Sequence, residues 1–187
     1  MVATSRTQQM SAGSNDDVLS WNSEASITDL EYTILEDGPA IGKVVSFGKS
    51  RFQGSAKISP CPMSVITVDL ATLDGLKGGE FGELPEGEKL TGFEITFPLN
   101  KRFLSRIAAF FKSCGVLGVE ETDVSMSLWN DVVGHTFVCE TKQREWEGKD
   151  GSIRKSNGIG RFLYGEDADA VIKELEEARR HDHGSLI

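Results

Sequence analysis

The sequence contains little cysteine and no long apolar run. Its three cysteines, Cys61, Cys114 and Cys139, are widely spaced and show neither a metal-binding spacing nor a disulfide framework. We therefore expect free thiols in a reducing cytoplasm. No apolar stretch approaches the length of a membrane span, and the first residues, MVATSRTQQMSAGSNDD, lack the apolar segment of a secretion signal. We expect neither a membrane span nor a signal peptide.

Signatures of catalysis are also scarce. Among three histidines, His135 is solitary, while His181 and His183 could chelate a metal but lie in a polar segment near the C-terminus. No cysteine has an evident histidine partner, and the glycines of the first strand-like segment form no P-loop or dinucleotide fingerprint. The residues therefore predict a protein that is not an enzyme and that uses no cofactor or metal.

Acidic residues outnumber basic ones, and the formal net charge is −9. This balance argues against nucleic acid as a ligand, because affinity for phosphates depends mainly on Lys and Arg. The charges are segregated, however, since residues 38–68 and residues 95–119 each contain four basic side chains and no acidic one. The pattern predicts a basic surface on an acidic protein, with chance clustering on a solvated face as the alternative.

The two ends of the chain differ in composition from its middle. Residues 1–26 are rich in Ser, Thr, Gln, Asn and Asp and predict a disordered arm, in which Trp21 either packs on the domain or acts as a sticky handle. Residues 27–165 carry the patterns of one folded domain. Residues 166–187 are acidic and form a predicted helix, with amphipathic spacing over Asp167–Arg180, and a short tail.

Five segments have the alternation or the apolar runs of β-strands. In chain order the predicted strands are Ala40–Phe47, Met63–Leu70, Leu90–Leu99, Gly134–Trp146 and Ile153–Tyr164. Loops are predicted over Gly48–Pro62 and, with a strongly acidic composition, over Asp74–Lys89. An Asp-Gly turn joins the last two strands into a hairpin.

Lys101–Cys114 has the clearest helical pattern. Apolar residues recur at three- and four-residue intervals, Asn100 offers an N-cap, and Gly115 offers a C′ residue. Three strands, a helix and a closing hairpin follow the element order of a five-stranded OB barrel, β-β-β-α-β-β. We therefore predict an all-β fold with one or two helices, in which an OB-type barrel carries a disordered N-terminal arm and a C-terminal acidic helix.

The strongest functional pattern lies in the final hairpin, where cations and aromatic residues are interleaved. Alternation along the fourth strand places Lys142, Arg144 and Trp146 on one face. Single-stranded nucleic acids are bound by such mixtures, because cations follow the phosphates while flat side chains stack on unpaired bases. Gly158 and Gly160 would let a ligand approach the backbone closely. The predicted nucleic-acid-binding residues are Lys43, Lys49, Arg51, Phe52, Lys142, Arg144, Trp146, Arg154, Lys155, Arg161, Phe162 and Tyr164.

Each of these features also has a structural explanation. The hairpin could be a solvated one in which Trp146 and Tyr164 close one end of the barrel, and the first basic loop could be an ordinary connection. Trp129, beside a Val-Val-Gly strand entry, is expected in the core or under a lid. Arg102 and Arg106 are weaker candidates for phosphate contact, because the helix of such a barrel usually closes the end away from the groove.

Four stretches carry a family resemblance: LEDGPAIGKVVSF, MSVITVDLATLDG, RFLSRIAAFFKSCG and LWNDVVGHTFVCETKQREWEGKDGSIRKSNGIGRFL. Through them, residues 35–165 resemble the phage-encoded single-stranded DNA-binding proteins of OB fold, a family long known only as a domain of unknown function. The resemblance implies a non-catalytic protein that coats single-stranded DNA during replication or recombination in the cytoplasm of an infected cell. Phage replication or recombination proteins would be further partners.

A second functional class remains open. The chain could be a phage structural or assembly protein whose barrel binds a protein partner, in which case the basic windows would face an acidic surface. The sequence does not specify an oligomeric state.

Overall fold

The structure, a computed structural model, describes residues 33–79 and 88–184, with side chains described as far as His181. The strands are β1 Gly38–Phe52, β2 Cys61–Thr72, β3 Lys89–Pro98, β4 Thr136–Glu147 and β5 Ile153–Leu163. The helices are α1 Leu73–Lys77, α2 Leu104–Ser113 and α3 Glu166–Gly184. The predicted N-terminal arm with Trp21, and much of the predicted acidic loop, lie outside the described residues.

The strands form one antiparallel sheet of five strands in the order β3-β2-β1-β4-β5. This confirms a mostly-β fold with the five predicted strands and the two predicted helices. β3 and β5 are the edges of the sheet, and across the described ranges no ladder joins them. The sheet is therefore not closed into a barrel.

Two segments differ from the sequence prediction. The loop predicted over Gly48–Pro62 is shorter, because β1 continues to Phe52 and pairs with β2 from Cys61 onward. The stretch GKSRF carries no apolar alternation, so ladder hydrogen bonds rather than burial hold it as a strand. The helix α1 was not predicted; its five residues are too few for a periodic signal, although Thr72 accepts the first-turn N–H of Gly75 at 3.2 Å.

Two bulges decide which side chains enter the core. One leaves Val45 unpaired on β1, and the other leaves Gly160 unpaired on β5. Because an extra residue inverts the two-residue alternation, Phe47 and Phe162 both turn toward the core. The face of the sheet opposite this core is called the outer face below.

An aromatic cluster joins the two edge strands through α2. The ring centroids of Phe97 on β3 and Phe162 on β5 lie 5.8 Å apart, and Phe110 of α2 lies 5.2 Å and 5.1 Å from them. Trp129 belongs to the same cluster and is 2% exposed, which confirms its expected place in the core. Edge strands and helix thus share one core, although the strands do not pair.

The predicted caps of the central helix are present. The side chain of Asn100 accepts the N–H of Arg102 at 3.0 Å, at the start of a short 3₁₀ turn over Lys101–Phe103 that leads into α2. Gly115 follows the helix with φ of +73°, in the left-handed region that glycine adopts at little cost.

The helix α3 packs against the outer face of the sheet. Val171 and Leu175 are buried there with Val138 and Leu163, as the amphipathic spacing of α3 predicted. The guanidinium of Arg179 donates to the carbonyls of α1 and the residues that follow it. Within residues 33–79 and 88–184, no helix combines the length and the apolar content that crossing a bilayer requires.

Candidate functional site

The register of β4 against β5 brings four of the predicted binding residues together. Lys142 lies opposite Gly158, and Trp146 lies opposite Arg154 four residue pairs farther along the hairpin. Alternate residues of both strands project from the outer face, the same face on which Val138 packs under α3. We call this surface of the hairpin the cationic face; it consists of Lys142, Arg144, Trp146 and Arg154.

The cationic face is exposed and largely without compensating acid. Among the described residues, neither Lys142 nor Arg144 forms an ion pair, whereas Arg154 lies 3.3 Å from Asp150 in the turn. Trp146 is 47% exposed beside a hollow of about 380 Å³ that the turn residues also line. A flat aromatic surface with open space and unpaired cations nearby matches what an unpaired nucleotide requires.

Glycines on β5 make room for the long cationic side chains of β4. A Cβ atom added to Gly158 would lie 2.8 Å from Nε of Arg144, and one added to Gly160 would lie 3.2 Å from Cγ of Lys142. Both cations therefore lie across the backbone of the neighbouring strand. The sequence predicted that these glycines would expose backbone to a ligand, but the side chains of Arg144 and Lys142 occupy that space.

Arg106 of α2 reaches the same part of β5 from the core side. Its guanidinium donates to the carbonyls of Ile159 at 3.1 Å and Gly160 at 3.5 Å, and its Cζ lies 5.1 Å from the ring centroid of Phe162. Burial, with a further contribution from the charge of Arg144, lowers the pKa of Arg106, which still stays protonated at neutral pH. Three cations thus meet around the glycines of β5.

Arg106 was the weaker candidate on sequence grounds. Arg106 lies far from the hairpin along the chain, so the sequence gives no sign that the two are in contact. The contact results from the packing of α2 between the edge strands. The helical spacing of the central segment predicted which of its residues are buried. It does not indicate which strand Arg106, at the edge of the buried stripe, would contact.

The opposite side of the hairpin has a different chemistry. Lys155, a predicted phosphate contact, projects from this side and forms an ion pair with Glu145 at 2.7 Å. Successive residues of a strand point to opposite faces, so Arg154 and Lys155 cannot both belong to the cationic face. We call this second surface the paired face; it consists of Glu145, Glu147, Ile153 and Lys155.

Residues just before β1 cover the base of the hairpin on the side of the paired face. The side chain of Asn157 bonds both the N–H and the carbonyl of Leu35, each at 2.8 Å, and Gln143 donates to the same carbonyl at 3.2 Å. Leu35 itself is completely buried, as part of the main hydrophobic core. This clasp of hydrogen bonds on Leu35 fixes the hairpin to the domain and leaves the cationic face open, and no sequence pattern had indicated it.

Arg161 marks the boundary between the cationic face and α3. It donates to both carboxylate oxygens of Glu140, at 2.8 Å and 2.9 Å, and lies 3.9 Å from Asp167. These hydrogen bonds lower the pKa of Glu140. Although Arg161 was predicted to contact phosphates, its charge is already compensated by carboxylates.

Phe162 requires a correction. It was predicted to stack on bases, but it is 5% exposed and lies in the aromatic core with Phe97, Phe110 and Phe137. The bulge at Gly160 is the physical reason, because it inverts the alternation of the residues after it and so turns Phe162 inward. A ring with this burial has no free face for a base.

The remaining predicted residues lie elsewhere. Lys43 and Tyr164 line a separate groove beside α3. Lys49 and Arg51 are exposed on the hairpin of β1 and β2, on the side that carries Phe47, because the bulge at Val45 inverts the alternation after Lys43. Phe52 ends β1 opposite Cys61 and is half-buried.

The cysteines are free and buried. Burial raises the pKa of the Cys114 and Cys139 thiols to about 12, so neither is a thiolate at neutral pH. In the part of the chain that the structure describes, no group of three or more His, Cys, Asp or Glu side chains could hold a metal ion.

The sequence matches no protein-family model and no curated protein at a significant level.

Proposed function

We propose that this protein binds single-stranded DNA without strong sequence preference, through a fold of the OB type, in phage DNA replication or recombination. Cations of the hairpin contact phosphates and Trp146 stacks on a base. The protein works without catalysis, in the cytoplasm of the infected cell, with replication or recombination proteins as further partners.

The cationic face is the observation that carries this proposal. Lys142 and Arg144 project beside an exposed indole, while Glu145 and Glu147 project from the other side and Glu140, at the border of the cationic face, is held by Arg161. Such a division of charge concentrates positive potential on one surface of an acidic protein. Stacking on an aromatic ring is tolerant of sequence, because every base has a π-face.

The arrangement of the strands supports an OB-type fold. OB folds are five-stranded, partly open Greek-key barrels, and the loop between the fourth and fifth strands contributes to their oligonucleotide groove. Here the edges β3 and β5 approach each other through Phe97 and Phe162 across a shared core, as in a sheet that curls toward closure. The cationic face lies on the corresponding hairpin.

Titration of the full chain with an oligothymidine tests the proposal. We expect quenching of Trp fluorescence on binding and a mobility shift at low salt. For two phosphate contacts, from Lys142 and Arg144, the affinity should fall by about 7-fold between about 50 mM and 200 mM salt. Duplex DNA of the same length, whose bases are already stacked, should bind more weakly.

Absence of both quenching and a mobility shift at low salt would contradict the proposal. The protein-binding class named from the sequence would then be the better explanation of the basic residues.

A further inference from the structure

A groove of about 700 Å³ lies between α3, the end of α2 and the outer face of β1 and β4. Most of its lining is apolar, and two of the large side chains in it are exposed, Tyr164 by 38% and Ile172 by 40%. Its volume is in the range of sites that take drug-sized ligands or short peptide segments. No residue of the cationic face belongs to it.

The charges that line the groove are mostly positive. Lys43, Lys112 and Arg179 line it against a single acid, Asp169. Over the described ranges, none of these three cations forms an ion pair. The groove therefore combines an apolar surface with uncompensated positive charge in a chain whose net charge is −9.

Two of the three cations are held in place by backbone carbonyls. Lys112 donates to the carbonyl of Val119 at 2.6 Å and lies 5.4 Å from the ring centroid of Tyr164. Arg179 donates to the carbonyls of Leu76 and Gly79. Carbonyl contacts orient a cation without neutralising it, so these side chains remain able to attract a carboxylate.

The groove is separated electrostatically from the cationic face. Glu140 and Asp167 lie between the two surfaces, around Arg161. A phosphate backbone that passed from one surface to the other would have to approach these carboxylates, and like-charge contacts at an interface are unfavourable. The groove is therefore better suited to a ligand of its own.

We propose that the groove docks a short segment of a partner protein in which carboxylates alternate with large apolar side chains. The carboxylates would pair with Lys43 and Lys112, while the apolar side chains would cover Ile172 and Tyr164. A purely apolar segment would leave the cations desolvated, and a polyanion would leave the apolar surface in water. Only a ligand with both properties satisfies both parts of the groove.

A fluorescein-labelled peptide, Ac-DLEFDLE-NH2, is a suitable probe. Binding to the full chain is measured by fluorescence anisotropy. The residues that the peptide contacts are identified from changes in ¹⁵N–¹H chemical shifts. We expect a Kd on the order of 100 μM, with shifts at groove residues. Two control peptides, Ac-NLQFNLQ-NH2 without carboxylates and Ac-DSESDSE-NH2 without apolar side chains, should each bind at least about 10-fold more weakly, equivalent to 1.4 kcal/mol.

Two variants locate the binding. Lys43→Glu and Ile172→Glu replace exposed or half-exposed side chains of the groove and should each weaken the peptide by at least about 10-fold. Lys57→Glu and Lys173→Glu make comparable surface changes outside the groove and should change binding by less than about 2-fold. Far-UV circular dichroism melts confirm that all four variants are folded.

The proposal makes the groove independent of DNA binding. Groove variants should therefore bind an oligothymidine as the wild type does, and a variant of the cationic face should bind the peptide as the wild type does. Equal binding of all three peptides, or no groove shifts up to about 1 mM peptide, would overturn the proposal. So would loss of oligothymidine binding in Lys43→Glu, or a dimer in sedimentation that Ile172→Glu dissociates, because the occupant would then be DNA or a second copy.

Discussion

The two sides of the hairpin formed by β4 and β5 differ in whether their exposed cations are paired with carboxylates. On the cationic face, Lys142 and Arg144 lie across glycines and form no ion pair among the described residues, and the nearby carboxylate of Glu140 is bound by Arg161. On the paired face, Lys155 is neutralised by Glu145, one strand away. The two surfaces share one backbone and similar exposure, so they differ in the placement of acids.

This difference shows that the count of basic residues is a poor guide to a polyanion site. Lys155 and Arg161 add to the basic composition of the hairpin, but each is already matched by a carboxylate. Exposed ion pairs contribute little to stability. Their effect here is to remove a cation from the set that is free to meet a phosphate.

The largest effect is expected from charge reversal on the cationic face. Lys142→Glu combined with Arg144→Glu removes two phosphate contacts and adds repulsion, so oligothymidine affinity at about 50 mM salt should fall by at least about 100-fold. Anisotropy titration measures the loss. Lys57→Glu combined with Lys173→Glu changes the net charge by the same amount away from the hairpin and should have a much smaller effect. An equal loss in both double variants would show that overall charge, and not this face, governs binding.

The second largest effect is expected from truncating an exposed apolar residue, which should lower DNA affinity on the cationic face but not on the paired face. Trp146→Ala should cost about 1–3 kcal/mol of binding free energy, or roughly 5- to 150-fold in affinity, and should abolish most of the fluorescence quenching. Ile153→Ala removes a still more exposed side chain, at 66%, from the paired face and should leave affinity unchanged. Retained quenching in Trp146→Ala would assign the stacking to another residue.

Adding a single methyl group on β5 should lower DNA affinity without lowering the stability of the fold. Gly158→Ala places a Cβ 2.8 Å from Nε of Arg144, so the guanidinium must move, and affinity for the oligothymidine should fall by about 3-fold. Stability to urea should stay the same or rise slightly, since alanine restricts the unfolded chain more than glycine does. Ser156→Ala, on the same face of the same strand, is the matched control. Unchanged affinity in Gly158→Ala would mean that the position of Arg144 over this glycine is unimportant.

The smallest effect concerns the boundary at Glu140. Hydrogen bonds from Arg161 lower the pKa of this carboxyl in the folded protein, so its contribution to stability is complete above the unfolded pKa and is lost as pH falls through the folded one. Wild type should therefore exceed Glu140→Gln slightly in urea midpoint at pH 7, and the difference should disappear on acidification. A difference that persisted at pH values below the lowered pKa of the folded protein would need another cause, because the carboxyl would then be protonated.

Alternation predicted β4 well because no extra residue interrupts it. Phe137, Cys139 and Thr141 are buried, and Lys142 and Arg144 project from the other side, as the period of two requires. The burial of the helix stripe from Phe103 to Cys114 follows in the same way from local spacing. Such features depend on neighbouring residues alone, so the sequence contains them.

The bulges could not be predicted from the same pattern. The glycines of β5 do not reveal whether the strand contains a bulge, and the bulge decides whether Phe162 faces solvent or the core. The proximity of Arg106 to the hairpin and the clasp of Asn157 on Leu35 depend on contacts between segments far apart in the chain. Packing of the whole sheet determines these contacts, and no local sequence pattern predicts them.

The contact between Arg106 and the edge of β5 also affects how this protein behaves at high concentration. An open sheet offers free carbonyls at its edges, and such an edge can template the addition of a strand from another molecule. By accepting the guanidinium of Arg106, the carbonyls of Ile159 and Gly160 are withdrawn from that reaction. We therefore expect the side chain that brings positive charge to the glycines of β5 to oppose the addition of a strand at this edge as well.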